Sequence, residues 1–384
     1  MLPKLSKNEV LRYSRHLLIP EVGLDGQRKL KASSVLVVGS GGLGAPVALY
    51  LAAAGIGHIG LVDFDVVDAS NLQRQVIHAT SRVGMLKVES ARQQMLDLNP
   101  FIQVDAINAV FQSQNARKIA DGYDLIVDGT DNFPTRYLIN DLCALTGRPY
   151  VYGSIFRFEG QVSVFDARLG PCYRCLFPEP PPPGMTPSCA EGGVFGVLPG
   201  TIGTLQATQA IKLLLGIGDQ LIGKLMLYDA LETSFQTVKL RKNPHCKLCG
   251  DHPEIHELID YEEFCGVPAH DRHITLQDPG VEVLPRELKA ELDAGKPVVL
   301  VDVREPVESQ ISSIPGSINI PMGMMTTRRA ELDQEADIVL YCRSGVRSLQ
   351  VLQTLCSAGF QHVRSLRGGV NAWVREIDPQ QYIY

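Results

Sequence analysis

An apolar run, Ser34-Val35-Leu36-Val37-Val38, leads directly into Gly39-Ser40-Gly41-Gly42-Leu43-Gly44, and a helical pattern follows to about Ala54. A strand that ends in a G-x-G-x-x-G turn and opens a helix constrains the fold strongly, because it is the first step of a βαβ unit. The rhythm then continues. Short runs at 59–62, 102–107, 125–127 and 150–151 alternate with helical stretches at about 87–98 and 135–146. This predicts an α/β fold with a mostly parallel, Rossmann-like sheet covered by helices. Runs at 161–165 and 225–229, with a helix at about 203–215 between them, read as a mixed extension of that sheet.

Two breaks interrupt the pattern. Pro178-Glu179-Pro180-Pro181-Pro182-Pro183-Gly184, with Gly192-Gly193 soon after, continues neither a helix nor a central strand and reads as an exposed, mobile crossing segment. From about 251 to 277, His, Pro and acidic residues replace hydrophobic periodicity. The expected organisation is therefore a first domain over 1–250, a linker over 251–277 and a small second α/β domain over 278–384. In that second domain, strands are expected at 298–301, 338–341 and 363–365 and helices near 286–294 and 347–358.

A formal charge of −6 gives no support to a nucleic-acid or anionic-membrane surface. The first residues, Met1 to Glu9, contain no apolar core of a signal peptide, and every apolar stretch is broken short of the roughly 18 to 20 residues a membrane span needs. A cytoplasmic location is expected. The nine cysteines then read as metal ligands or reactive thiols rather than as a disulfide framework.

The glycine turn, with Gly39, Gly41, Gly42 and Gly44, lets backbone amides approach phosphates, and Asp63, 19 residues after Gly44, is placed to accept from ribose hydroxyls. Alone, this motif fits an NAD or FAD site equally well. The next segment does not. Ser70-Asn71-Leu72-Gln73-Arg74-Gln75 and Lys87 supply two cations and several polar side chains beyond the ribose-binding strand, where a triphosphate needs them and a dehydrogenase does not.

Over about residues 5–250 the chain resembles the MoeB/ThiF family of ubiquitin-activating-type adenylyltransferases. The resemblance runs through Arg12-Tyr13-Ser14-Arg15-His16, the glycine turn, Asp63-Phe64-Asp65, Ser70–Arg74, Lys87, Asp128-Gly129-Thr130-Asp131-Asn132, the cysteine pairs and Tyr228-Asp229-Ala230. It implies ATP-dependent adenylation of the C-terminal glycine of a ubiquitin-like sulfur-carrier protein ending in Gly-Gly, with pyrophosphate leaving. It further implies that Arg15 reaches the triphosphate of a neighbouring subunit, hence a homodimer. The chemistry suits the residues. A carboxylate nucleophile is already ionised at pH 7, so the site must chiefly hold two anions together and neutralise the leaving pyrophosphate. Arg74, Lys87 and a Mg²⁺ near Asp131 are the candidates, with Asn132 beside them. Plainer roles remain open: a solvated charge for Arg15, a surface charge for Lys87, and for Asp131 the N-cap of the following helix.

Cys172-Tyr173-Arg174-Cys175 and Cys246-Lys247-Leu248-Cys249 are two C-x-x-C knuckles, a pairing that suits tetrahedral Zn²⁺ in a closed, structural site. Cys143, Cys265 and Cys356 lack a partner motif and read as small core or surface residues. Cys189 follows the proline-rich stretch, where relatives carry a cysteine proposed to bond covalently to the carrier. Its position is also compatible with simple clearance for the carrier's tail.

The last segment, about 278–384, resembles a rhodanese domain through Val301-Asp302-Val303-Arg304-Glu305-Pro306, Ile314-Pro315-Gly316-Ser317-Ile318-Asn319-Ile320-Pro321, Cys342-Arg343-Ser344-Gly345-Val346-Arg347 and Gly368-Gly369-Val370-Asn371-Ala372-Trp373. Backbone amides and a helix start around Cys342 are expected to stabilise a thiolate or a terminal persulfide anion, with Arg343 and Arg347 adding positive charge. The resemblance implies that Cys342 carries a persulfide. A similar thiolate loop serves phosphatases, but the six-residue form here is the one associated with sulfur. Ser312-Ser313 departs from the Gly-His that many relatives carry.

Together these readings predict a bifunctional enzyme. It adenylates a carrier of the molybdopterin-synthase small-subunit type and converts the acyl-adenylate to a thiocarboxylate with sulfur from Cys342, itself loaded by an upstream donor such as a protein persulfide. A thiamine-type or protein-modifying carrier is the alternative with the same chemistry. An NAD-dependent oxidoreductase and a non-catalytic carrier scaffold are the alternatives of other classes.

Overall fold

The computed structural model describes residues 2–182, 192–266 and 281–384. The chain divides into two compact units, Met1–Ala269 and His270–Tyr384.

In the first unit an eight-stranded sheet has the order β3-β2-β1-β4-β5-β6-β7-β8. Its strands are β1 Ser34–Val38, β2 His58–Asp63, β3 Gln103–Asn108, β4 Leu125–Asp128, β5 Tyr150–Phe156, β6 Glu159–Phe165, β7 Lys224–Asp229 and β8 Ser234–Lys239. From β3 to β5 neighbours are parallel; from β5 to β8 they are antiparallel. The mixed extension thus matches the expectation from sequence. β1 and β4 are buried along their whole length, as a strand covered by helices on both faces must be. Successive residues serve opposite faces: Val35 and Val37 enter one core, Leu36 and Val38 the other.

β8 did not show in the sequence as a strand. All six of its residues are exposed, so no apolar alternation marks it. The helix read at 203–215 begins earlier, at Leu198–Leu215, with Pro199 in its first turn. It packs on the helix Gly44–Ala54 that follows the glycine turn.

Within the stretch read as linker, Tyr261–Cys265 forms a helix capped by Asp260 and packed in the first unit. The reason is a buried ion pair. Arg174, inside the first cysteine knuckle, forks onto Asp141 at 2.8 Å through two nitrogens, and Tyr261 donates to the same carboxylate at 2.9 Å. The Arg174 guanidinium lies over the rings of both Tyr137 and Phe264, which gives its charge two π faces in place of water.

The second unit is a five-stranded, all-parallel sheet of order β11-β10-β12-β13-β9, from β9 Glu282–Val283, β10 Val298–Asp302, β11 Ile318–Asn319, β12 Asp337–Tyr341 and β13 Val363–Leu366. Along β12, Ile338 and Leu340 serve one core and Val339 and Tyr341 the other; Cys342 keeps the alternation and falls on the Ile338 side. Among the described residues no helix is long and apolar enough to cross a membrane.

Candidate functional site

At the carboxyl end of β1 the glycine turn is closely packed at its first and last glycines. Gly39 has φ +87, and a Cβ there would lie 2.9 Å from the Gly129 carbonyl oxygen; a Cβ on Gly44 would overlap the Gly39 carbonyl. Only glycine permits this contact between the first turn and the loop after β4. Ser40 then fixes the turn. Its N–H and hydroxyl donate to Asp63 Oδ2 at 2.8 and 2.9 Å, and its carbonyl accepts from His78 Nε2 at 3.3 Å, whose other nitrogen meets Ser90 Oγ at 3.0 Å. Burial pushes His78 down to about 4, so it is neutral at pH 7 and bonds without bringing charge to the turn. Asp63, expected to face a ribose, is thus also the anchor of the phosphate turn.

Arg74 and Lys87 are both tethered. Arg74 bonds the Asn71 amide oxygen at 3.0 Å, from the short helix Ala69–Asn71 that holds Ser70. Leu72 is half-buried and Gln73 exposed beside it. Lys87 is buried and pairs with Asp65 at 2.8 Å. A buried ammonium on a single carboxylate is a held cation, not the mobile surface charge that was the plainer reading.

At the last position of β4, Asp128 is wholly buried; its Oδ1 accepts from Thr130 N–H at 2.9 Å and from the Thr130 hydroxyl at 2.6 Å. Burial raises this carboxyl against the pull of Arg136, which sits 3.6 Å away over the Tyr152 ring. The pair shapes the loop that presents Asp131. The cap of the helix Phe133–Thr146 is Asn132, whose side chain accepts from Thr135 N–H at 2.9 Å. Asp131, one residue earlier, is exposed. The cap reading of Asp131 is therefore replaced by Asn132, because only the residue directly before the first helical turn can reach that N–H. Arg15 is exposed on the helix Ser14–Leu17, with Leu11, Leu18 and Ile19 exposed around it.

The four knuckle cysteines converge: their Sγ atoms all lie within 4.8 Å of one another, with Cys172–Cys246 at 3.6, Cys172–Cys175 at 3.9 and Cys175–Cys249 at 3.4 Å. Four thiolates about 2.3 Å from a tetrahedral Zn²⁺ sit about 3.8 Å apart, so the spacing fits the metal. Cys143 and Cys265 are buried and Cys356 exposed, without partners in this cluster. Cys189 lies outside the described residues.

In the second unit Cys342 is buried and its sulfur accepts the Gly345 N–H at 3.1 Å, at the start of the helix Val346–Ser357. The two arginines of the loop turn elsewhere. Both terminal nitrogens of Arg347 bond Glu308, at 2.8 and 2.7 Å, and Arg343 Nε donates to the Tyr384 carbonyl at 2.6 Å. Burial would raise the Glu308 carboxyl, but Arg347 holds it below its ordinary value, so the pair is ionised. The expected positive charge from Arg347 is therefore cancelled locally, and the Gly345 amide and the helix start supply what remains. Ser312-Ser313 is absorbed into the same frame: Arg304 reaches the Ser312 carbonyl and Gln381 brackets the Ser313 backbone.

A cavity of about 470 Å³ is lined by Ser33, Asp124 and Pro149, each just before β1, β4 or β5. It lies at the opposite strand ends from the glycine turn, away from the chemistry of an open α/β sheet.

The ThiF family model matches residues 13–248, and the model of the rhodanese-like domain matches 284–376. Among curated relatives, "Probable adenylyltransferase/sulfurtransferase MoeZ" of Mycobacterium tuberculosis is 51% identical over 99% of this chain and 96% of its own length. "Adenylyltransferase and sulfurtransferase MOCS3" of Culex quinquefasciatus is 43% identical over 99% and 91%. Among solved structures, E. coli MccB with ATP superposes with a TM-score of 0.55 at 25% identity, covering 62% of this chain and 74% of that one.

Proposed function

Since the chain belongs to the ThiF family and carries a rhodanese-like domain as well, we propose that it is a bifunctional adenylyltransferase and sulfurtransferase acting on a ubiquitin-like sulfur carrier. The observation that carries this reading is the presence, on one chain, of a nucleotide turn with held cations and a sulfur loop centred on Cys342. The first unit binds ATP. The carrier's terminal carboxylate attacks the α-phosphorus; the bond to pyrophosphate breaks, and the leaving oxygen takes the electron pair. Arg74 and Lys87 neutralise that oxygen's charge, and a Mg²⁺ near Asp131 would add to it. In the second step the outer sulfur of the Cys342 persulfide attacks the acyl carbon and AMP leaves. A second thiol then attacks Cys342 Sγ, forming a disulfide with it as the S–S bond to the acyl sulfur breaks and the thiocarboxylate leaves with the electron pair. Cys189 is the candidate for that thiol, and a reducing dithiol afterwards restores both cysteines.

Further parts of the reading have their own support. A homodimer fits the exposed apolar residues around Arg15. A zinc ion fits the four thiolates. The relatives that match 99% of this chain are named adenylyltransferase and sulfurtransferase, which supports the two activities, and a carrier of the molybdopterin-synthase small-subunit type is part of the same proposal.

Asp131→Ala is expected to lower ATP–pyrophosphate exchange by about 100-fold, the scale of losing one electrostatic contact to a transition state. Persulfide formation from a simple sulfur donor should continue. Normal exchange in the variant would remove Asp131 from the site. The function as a whole is tested by the intact mass of a Gly-Gly carrier after incubation with enzyme, Mg-ATP and a persulfide source. Replacement of one terminal oxygen by sulfur is the expected result; an unchanged carrier without exchange overturns the reading.

A further inference from the structure

Behind Cys342 lie two serines that no motif singled out. Ser348 and Ser365 are both fully buried. Ser365 Oγ donates to Ser348 Oγ at 2.8 Å, and Ser348 Oγ has two acceptors within reach: the Gly345 carbonyl at 2.9 Å and Cys342 Sγ at 3.6 Å. A hydroxyl has one proton, so it serves one of them at a time.

Resting on the reading of Cys342 as the sulfur carrier, we propose that Ser348 is a catalytic residue whose proton follows the charge on Cys342 Sγ. When Sγ is bonded to a second sulfur it carries little charge, and the shorter bond to the Gly345 carbonyl holds the proton. When Sγ becomes a thiolate, a charge-assisted bond to sulfur is the stronger, and a rotation about the Cβ–Oγ bond makes it without moving a heavy atom. Ser365 is a positioning residue: by donating to Ser348 Oγ it fixes the oxygen's place and polarises its O–H.

The role falls on one half-reaction. In loading, the Sγ thiolate attacks the outer sulfur of a donor such as thiosulfate; the Sγ–S bond forms, the donor's S–S bond breaks, and sulfite leaves with the electron pair. Ser348 here stabilises the starting state at least as well as the transition state, so it does not accelerate the step. In discharge to a small nucleophile such as cyanide, carbon attacks the outer sulfur, thiocyanate forms, and the electron pair of the broken S–S bond goes to Sγ. Charge then develops on the atom that Ser348 faces, and only an interaction stronger in the transition state speeds a step.

The test is to measure both half-reactions of the full-length protein in single turnovers, with thiosulfate as donor and cyanide as acceptor, following the persulfide by intact mass. Ser348→Ala should slow discharge about tenfold, the scale of a hydrogen bond to a charged group, and leave the loading rate within about threefold of its former value. Ser365→Ala, which keeps the Ser348 hydroxyl, should slow discharge about two- to threefold and leave loading as it was. Equal slowing of both steps in the two variants would show a structural role and overturn the proposal. So would an unchanged discharge rate in Ser348→Ala. If the unsubstituted protein takes up no sulfur at Cys342, the reading of Cys342 fails first, and this role with it.

Discussion

Cys342→Ala is expected to abolish sulfur delivery to the carrier while ATP–pyrophosphate exchange proceeds at its former rate. The first half follows from chemistry: among the described residues of the second unit, no other group combines a sulfur atom with a directed amide, as Cys342 does with Gly345 N–H at 3.1 Å. Cys356 is exposed on the outer part of its helix. The second half follows from the way the nucleotide turn is built. Ser40, Asp63, His78, Arg74, Lys87 and the loop after β4 are held by bonds made within the first unit. The measurement is radiolabelled pyrophosphate exchange beside carrier mass. Loss of both activities in the one variant would falsify the division of labour.

A second large effect is expected at the cysteine cluster. Cys246→Ser should lower the melting temperature of the first unit by about 10 °C and reduce bound zinc from one ion per chain to a substoichiometric amount. Cys172 and Cys246 stand 74 positions apart. Closing a loop of that length restricts the unfolded chain by about 4 kcal/mol in the loop-entropy account, which corresponds to about 10 °C for a unit of this size. Chelation of the metal should give a shift of the same sign. Calorimetry with metal analysis decides; a melting temperature unmoved by the substitution would leave the cluster without a stabilising role.

The parts of this molecule legible in sequence are those set by neighbours along the chain. The strand at Ser34–Val38, the turn at Gly39–Gly44 and the helix after it follow from local period and from glycine's backbone freedom. The thiolate loop is legible for the same reason. What stayed hidden depends on residues far apart. Arg347 lost its expected role because Glu308, 39 positions away, takes both of its terminal nitrogens. The helix Tyr261–Cys265 owes its place to Asp141, 120 positions before Tyr261, and five residues are too few to show a helical period. His78 has no motif around it; only the fold brings it under the Ser40 carbonyl. Asp131 and Asn132 illustrate a finer limit. Both residue types cap helices well, and a shift of one position, which period alone does not fix, decides which does so and which faces outward.

The pairing of Arg347 with Glu308 also bears on which anions the second unit refuses. A loop that grips a phosphate ester needs a guanidinium fork aimed at two of its oxygens. Here the fork is already closed on a carboxylate, and an incoming phosphate dianion would have to displace Glu308 and leave its charge buried beside its own. A persulfide makes no such demand: its anionic outer sulfur is a single atom that needs no guanidinium fork, and the thiolate left when that sulfur departs is served by the Gly345 amide and the Ser348 hydroxyl. The same loop framework that elsewhere accepts phosphate is thus turned toward sulfur by a glutamate that never touches either.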